Sequence, residues 1–465
     1  MLTSKGLWTL TLGFMALHLA LAANLPLVED EAYYQLWATV PSWGYYDHPP
    51  MIAWWIAAGE ALLGPSLLGV RLASVLASGV MTFLVYRTAW LYSKDHKTAL
   101  IAALWMKAML PFAVLGFVAT PDAPSILFWT AAVWALSEVL NGGSRNWWLM
   151  VGLFAGLGVL SKFTNFFFGL SLVIWLLTSK QGRGWLGVWQ VWVGALLGAL
   201  VLLPFLWWNY LNGWVGFERQ FGRLGVPNNF IIGDFLAFWG SIVILLSPLV
   251  FWRMLRGLSS SRVPSVLIWL SAPIVIYLGY HATKTSAGGQ WLGPIFPTLA
   301  IIAALPMVKN WTSRWAAPTG IALALLILTV GFWPGVVLIK GHNPFTQVRG
   351  WPQTIARISA LAKAKNVRWI ATDAYGLTGQ LSHYLTPLGL TVRAVTEPER
   401  YLFQPKLPNA YCDAKALFIS RKPFPEGVPY FANSKAGPDL TRQDGGEVLM
   451  RYSTAVVSGL IGCNK

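Results

Sequence analysis

Glu29-Asp30-Glu31-Ala32-Tyr33-Tyr34, and after it Trp43-Gly44-Tyr45-Tyr46-Asp47-His48-Pro49-Pro50-Met51, follow directly on a strongly apolar run from Leu7 to Leu27. Four carboxylates and one histidine fall within residues 29–48 of a chain in which only 11% of residues are charged. The tyrosines and tryptophans between them are the amphipathic kind that settle at a membrane surface. The proline pair stops any helix and fixes an extended turn. The stretch reads as a reactive loop at the membrane–water boundary, with the other hydrophobic segments building a cavity beneath it.

Composition supports that setting. The chain has 465 residues, 55% of them hydrophobic, and a soluble globular chain carries about twice its share of charge. This predicts a polytopic α-helical membrane protein. The net charge of +16 invites a nucleic-acid partner, but the positive residues cluster in short loops between apolar spans. There they are topology signals, so no nucleic-acid partner is expected. The N-terminal apolar run lacks a small-residue cleavage site before Glu29 and reads as a first retained helix. Cys412 and Cys463 lie in the polar C-terminal region, either as a disulfide or as two free thiols.

A spanning helix needs about 20 apolar residues. About eleven candidates follow, at roughly 7–27, 66–91, 98–118, 123–140, 147–160, 163–178, 185–208, 235–252, 263–280, 291–308 and 316–339. The fifth and sixth are short enough to form a re-entrant pair, and 51–64 reads as an amphipathic helix lying in the interface. Lys5, Arg87, Lys94, Lys97, Arg145, Lys180, Arg183, Arg253, Arg256, Arg262, Lys309 and Arg314 alternate onto one side, the cytoplasm by the positive-inside rule. The acidic loop then faces outward, and so does the C-terminus. Residues 1–340 are therefore a transmembrane module with its first outward loop at 28–64. Residues 341–465 are a small extracytoplasmic α/β domain, with helices at 351–365 and 375–385 and strands at 367–372, 390–395, 416–420 and 447–457.

Several outward residues can carry chemistry. Asp30 is a solvated charge, a helix cap, or a general base for a hydroxyl or amine nucleophile; the recurrence of Glu29, Glu31 and Asp47 in one aromatic-flanked loop favours a site. Asp122, between Pro121 and Pro124, reads as a cap for the fourth span, a role that leaves room for a second one. Lys162 between the short spans either snorkels to the interface or reaches a phosphate. Arg219 and Arg223 share a helix face on what is either an amphipathic surface turn or a phosphate clamp, since arginine forks match phosphate oxygens. Lys284 and Gln290-Trp291 lie in the next outward loop. Carboxylates for a nucleophile and cations for a phosphate leaving group are what transfer from a phospho-activated donor needs. No P-loop, dinucleotide fingerprint or zinc helix is evident.

Asp30-Glu31-Ala32-Tyr33-Tyr34, Gly44-Tyr45-Tyr46-Asp47-His48-Pro49-Pro50 and Pro121-Asp122-Ala123-Pro124 together resemble the bacterial GT-C membrane glycosyltransferases, relatives of the lipid A aminoarabinose transferase and the protein O-mannosyltransferases. Trp208-Asn209, Gly213-Trp214 and the Lys284–Trp291 loop extend the likeness over most of the membrane part. The resemblance implies a polyprenyl-phosphate sugar donor, transfer on the outer face of the bacterial inner membrane, and inversion at the anomeric carbon. It implies Asp30 as catalytic base, with Asp122 supporting it. Glu31, Tyr34, Asp47, His48, Lys162, Arg219, Arg223 and Lys284 become substrate-binding candidates. His48 stands where the aminoarabinose transferase has a lysine near the donor phosphate, which shifts that role toward Lys284, Arg219 and Arg223. No cofactor is required; a divalent metal at Asp47 and His48 is compatible with the family. The acceptor class is lipid A, another cell-envelope glycan or a protein. A transporter or flippase of lipid-linked sugars is the rival, although the charges gather at one face rather than at mid-bilayer and no inverted repeat is visible.

Overall fold

The computed structural model describes residues 2–222, 231–336 and 343–463. The membrane part runs α1 (Leu2–Asn24), α2 (Glu29–Ala38), α3 (Met51–Leu63), α4 (Leu67–Ser93), α5 (His96–Ala108), α6 (Leu110–Ala113), α7 (Asp122–Leu140), α8 (Trp147–Val159), α9 (Phe166–Thr178) and α10 (Lys180–Arg183). It continues with α11 (Trp189–Leu211), α12 (Val215–Phe221), α13 (Ile232–Leu246), α14 (Pro248–Leu258), α15 (Ser265–His281), α16 (Phe296–Ala304) and α17 (Trp311–Gly331). Local chemistry sets the ends. Ser66 Oγ accepts the Gly69 N–H at 3.0 Å to start α4, and Asp95 accepts the Lys97 and Thr98 N–H groups to start α5, as capping residues do.

Among the described residues, five helices are long and apolar enough to cross a bilayer: Lys5–Asn24, Leu67–Ser93, Asp122–Leu140, Trp189–Leu211 and Trp311–Gly331. A sixth appears if α13 and α14 count as one span. The expected eleven are therefore not all single long helices. The segment at 98–118 breaks at Met109, beside Pro111, which lacks an N–H for the ladder. The segment at 235–252 bends by 99° between α13 and α14, where Ser247 takes φ 68°. The paired segments at 147–160 and 163–178 fold as α8 and α9, 13 residues each, and the segment at 51–64 is helical as α3.

Close helix packing rests on small residues. A Cβ on Gly152 of α8 would lie 1.8 Å from the Gly194 carbonyl oxygen of α11, and one on Gly156 would lie 2.7 Å from that of Gly198. Gly152→Leu is expected to force these helices apart and lower the melting temperature in detergent, at an overpacking cost of about 1–3 kcal/mol. An unchanged melting temperature would count against this contact. The C-terminal end of α8 also meets the start of α3, where the Met51 N–H donates to the Leu160 carbonyl at 3.1 Å.

The C-terminal domain has α18 (Trp351–Ala364), β1 (Trp369–Thr372), α19 (Tyr375–Leu385), β2 (Thr391–Ala394), α20 (Asn409–Cys412), β3 (Ala416–Ser420), β4 (Phe431–Ala436), β5 (Leu440–Asp444) and β6 (Glu447–Leu460). The sheet order is β2-β1-β3-β6-β4, with β5 paired to β6 alone. β1 runs parallel to β2 and β3, and β6 is antiparallel to its neighbours. Trp351, Ile355, Leu377, Leu381, Ile370 and Leu417 fill one face of the sheet, and Trp369, Phe418, Phe431 and Val457 the other. Cys412 and Cys463 are joined as a disulfide. The expected helices and the four expected strands are present; β4 and β5 are additional.

The domain rests directly on α2. A Cβ on Gly379 of α19 would meet the Tyr33 backbone nitrogen at 2.6 Å, and one on Gly376 would meet Glu29 Oε2 at 2.5 Å. Only glycine allows this approach. Gln380 Nε2 donates to the Leu27 carbonyl at 2.7 Å, and His383 Nδ1 lies 2.7 Å from Gln35 Oε1.

Candidate active site

The three acidic residues of the motif form the first turn of α2, where negative charge complements the helix dipole. Successive residues on a helix diverge by about 100°, so the three carboxylates go to three different places. Glu31 turns inward and is fully buried. Its Oε1 accepts Arg71 Nε at 2.8 Å and the Ala119 N–H at 2.9 Å; its Oε2 accepts Arg71 Nη2 at 2.6 Å and the Val28 N–H at 3.0 Å. Arg71 also donates to the carbonyls of Ala22, Leu25 and Pro26. Glu31 is therefore not open to a substrate, which corrects its expected binding role. It fixes the turn that aims Asp30.

Asp30 points the other way and is half-buried. The Tyr375 hydroxyl donates to its Oδ1 at 3.1 Å. Burial pushes the Asp30 carboxyl up from its ordinary range; the Tyr375 hydrogen bond opposes this, and the charges of Glu29, Asp122 and Asp47 add to it. Burial, followed by the charge of Asp30, raises the Tyr375 hydroxyl too, which keeps it a proton donor. Each acidic neighbour has a cation of its own. Glu29 pairs with Arg421, Asp47 with Arg400 and Arg219, and Asp122 with Lys162 at 2.7 Å. Among the described residues, Asp30 is the carboxylate of this group without one.

Asp47 is the most heavily bonded of these carboxylates. Its Oδ2 accepts from the Tyr33 hydroxyl at 3.0 Å and from Arg400, while Arg219 Nε lies 3.4 Å from Oδ1. Gln220 Nε2 donates to its backbone carbonyl at 2.6 Å. Both guanidinium groups also lie over the Tyr46 ring, at 5.4 and 5.5 Å. A divalent metal at Asp47 does not fit this donor set, because it would meet two arginines already facing the carboxylate. Among the described residues, no group of three or more His, Cys, Asp or Glu side chains is placed to hold a metal. The His48 ring meets Tyr34 edge-on at 6.1 Å, and Tyr34 is buried beside Trp37 at 4.8 Å.

The other expected residues divide. Asp122 is the first residue of α7 rather than its cap, and its side chain reaches Lys162. Lys162, read as either an interfacial lysine or a phosphate contact, joins the carboxylate cluster. Lys284 is exposed, with its ammonium 5.9 Å from the Tyr280 ring centroid, and no ion pair draws it to the carboxylates. Arg223 falls outside the described residues. Tyr375, Arg400 and Arg421 were missed. They lie in the C-terminal domain, more than 340 residues from their partners, and no local motif marks them.

An apolar cleft of about 480 Å³ runs between α8, α9 and α11, lined by Gly156, Asn165, Gly169, Leu172, Trp192 and Leu202 among others. Its Asn165 end is tied to the site, since Asn165 exchanges hydrogen bonds with Ser125, three residues after Asp122.

Residues 47–208 match the family model described as dolichyl-phosphate-mannose-protein mannosyltransferase. The chain is 27% identical over 407 residues to the lipid A galacturonosyltransferase RgtD of Rhizobium johnstonii, covering 84% of this chain and 85% of that one. It is 25% identical over 362 residues to the undecaprenyl phosphate-alpha-4-amino-4-deoxy-L-arabinose arabinosyl transferase of Pseudomonas paraeruginosa, covering 66% of this chain and 63% of that enzyme's length. Its fold is that of ArnT from Cupriavidus metallidurans, solved bound to undecaprenyl phosphate, with a TM-score of 0.67, 14% identity and 98% of both chains covered. The resemblance carried by the first-loop motif holds across the chain.

Proposed function

We propose that this chain, allied in sequence and fold with the GT-C membrane glycosyltransferases, moves a sugar from a polyprenyl-phosphate donor to an acceptor at the outer face of the bacterial inner membrane. The observation that carries this reading is the position of Asp30 among four carboxylates. Three are neutralised by cations, and the fourth is held by one hydroxyl in surroundings that raise its proton affinity. That is the state a general base needs.

In the reaction, Asp30 takes the proton of an acceptor hydroxyl or amine. The freed lone pair attacks the anomeric carbon, and the bond from that carbon to the phosphate oxygen breaks. The polyprenyl phosphate leaves with the bonding electrons, and inversion follows from the single displacement. Arg219 and Lys162, the membrane-module cations paired with carboxylates of this cluster, exchange those partners for the phosphate oxygens of the donor. Arg223 and Lys284 are further candidates for the same role. Asp122 supports the site by holding Lys162 in place until the donor phosphate takes it over. The apolar cleft accepts the prenyl chain. Lipid A is the acceptor class favoured by the name of the galacturonosyltransferase relative; other envelope glycans and proteins remain alternatives for the assay. The eleven-span arrangement, with the site and the domain from 341 to 465 outside, belongs to this proposal and rests on the charge asymmetry of the loops.

The test is a transfer assay with purified protein, a panel of radiolabelled polyprenyl-phosphate sugars and membrane extract. Label entering a glycolipid or protein supports the reading. Movement of the donor across vesicles with no glycosyl product would replace it with the flippase reading. A second prediction concerns the cleft. A Cβ on Gly169 meets nothing within 4 Å, so Gly169→Trp is expected to fill the cleft without a clash. KM for a long-chain donor should rise about tenfold, as lost apolar burial implies, with little change for a short-chain analogue. Equal effects on both donors would remove the cleft from the mechanism.

A further inference from the structure

The three parallel strands of the C-terminal sheet each send one residue from their carboxyl end onto a different carboxylate of α2 and the loop after it. Tyr375 lies three residues beyond β1 and meets Asp30 at 3.1 Å. Arg400 lies six residues beyond β2 and meets Asp47. Arg421 follows β3 directly and meets Glu29. The carboxyl edge of a parallel sheet is where α/β folds place their binding loops, and here that edge faces the base of the proposed reaction. Tyr375 is held in turn, its ring 5.1 Å from Tyr33 and 4.8 Å from the Arg400 guanidinium.

We infer that the C-terminal domain supplies the positioning half of the transfer site: Tyr375 orients Asp30, while Arg400 and Arg421 neutralise the two carboxylates beside it. This rests on the transfer reading above. Docking itself has other supports, in Gly376, Gly379, Gln380 and His383. The three contacts therefore do something that adhesion does not require. The charged and titratable groups that act on Asp30 are Glu29 and Tyr34 on its own helix, Asp47 in the next loop, Asp122 on α7 and Tyr375 from the domain; Lys162, Arg219, Arg400 and Arg421 pair with those carboxylates, and His48 lies against Tyr34. The Tyr375 hydrogen bond favours ionised Asp30. Arg421 cancels the Glu29 charge that disfavours it. Loss of either contact makes Asp30 hold its proton to higher pH.

The experiment uses the full chain in nanodiscs. It compares wild type with Tyr375→Phe, Arg421→Gln and Arg421→Lys. Two quantities are read across pH: kcat for transfer, and the infrared band of the protonated Asp30 carboxyl, identified by its loss in Asp30→Asn. Tyr375→Phe and Arg421→Gln should each move the acidic limb of kcat, and the titration of the band, upward by about one pH unit. Arg421→Lys should restore both. Lower activity and a lower melting temperature, with limb and band unmoved, would overturn the positioning role and leave the domain as a prop. A shifted band in a protein that transfers no sugar from any donor would uphold the positioning role and overturn the transfer reading alone.

Discussion

Asp30→Asn lowers kcat by about 10²–10⁴-fold, the range a positioned general base contributes, and leaves the protein folded. Asparagine keeps the volume and can still meet the Tyr375 hydroxyl, but it cannot take a proton. The fold has no stake in the charge. Because Asp30's carboxyl is raised by burial and by its acidic neighbours, its protonated form favours folding. That contribution is present below its ordinary pKa and is lost as pH rises through the folded value. At neutral pH the charge therefore opposes folding, and asparagine relieves it. The expected pair of results is near-zero label transfer with an equal or higher melting temperature. Transfer at wild-type rate in the asparagine variant would remove Asp30 from the mechanism.

The largest expected effect on stability lies one residue away. Glu31 and Arg71 are both buried and share two hydrogen bonds. Together they tie the end of α1, the start of α2 and the backbone at Ala119. Removing one partner leaves the other charge unpaired in an apolar interior, a loss of about 3–5 kcal/mol. Arg71→Met should give little folded protein in mild detergent. Glu31→Gln, which keeps the shape and one acceptor oxygen, should lose less. A normal melting temperature for Arg71→Met would show that the pair is dispensable. Because Glu31 fixes the turn that carries Asp30, activity should fall with stability here, whereas in Asp30→Asn the two separate.

The contrast between Asp30 and Glu31 marks where sequence reading stops. The motif, its acidity and its place after an apolar run were legible, as were the short buried strands β1 and β3. Which of three adjacent carboxylates faces the site depends on helix phase, and that required knowing that residues 29–38 are helical rather than a loop. The break at Ser247 falls directly before Pro248, which bars its neighbour from helical backbone, a mark that an apolar-run count over 235–252 passes over. β4 is exposed beyond Phe431 and β5 is polar after Leu440, so they lack the apolar alternation that reveals a strand. Arg400 and Arg421 look like ordinary surface arginines until the domain is docked. Lys162 admitted two readings, an interfacial lysine or a phosphate contact; its place beside Asp122 follows from the packing of α7 against α8.

Tyr375 and Asp30 stand 345 positions apart in the chain, which gives their contact a meaning in time. The ribosome makes the carboxylate first and its hydroxyl partner 345 residues later. A nascent chain, or one cut short before residue 375, carries the acidic turn with nothing from the sheet to meet it. Interrupted synthesis therefore leaves Asp30 without the hydroxyl that orients it.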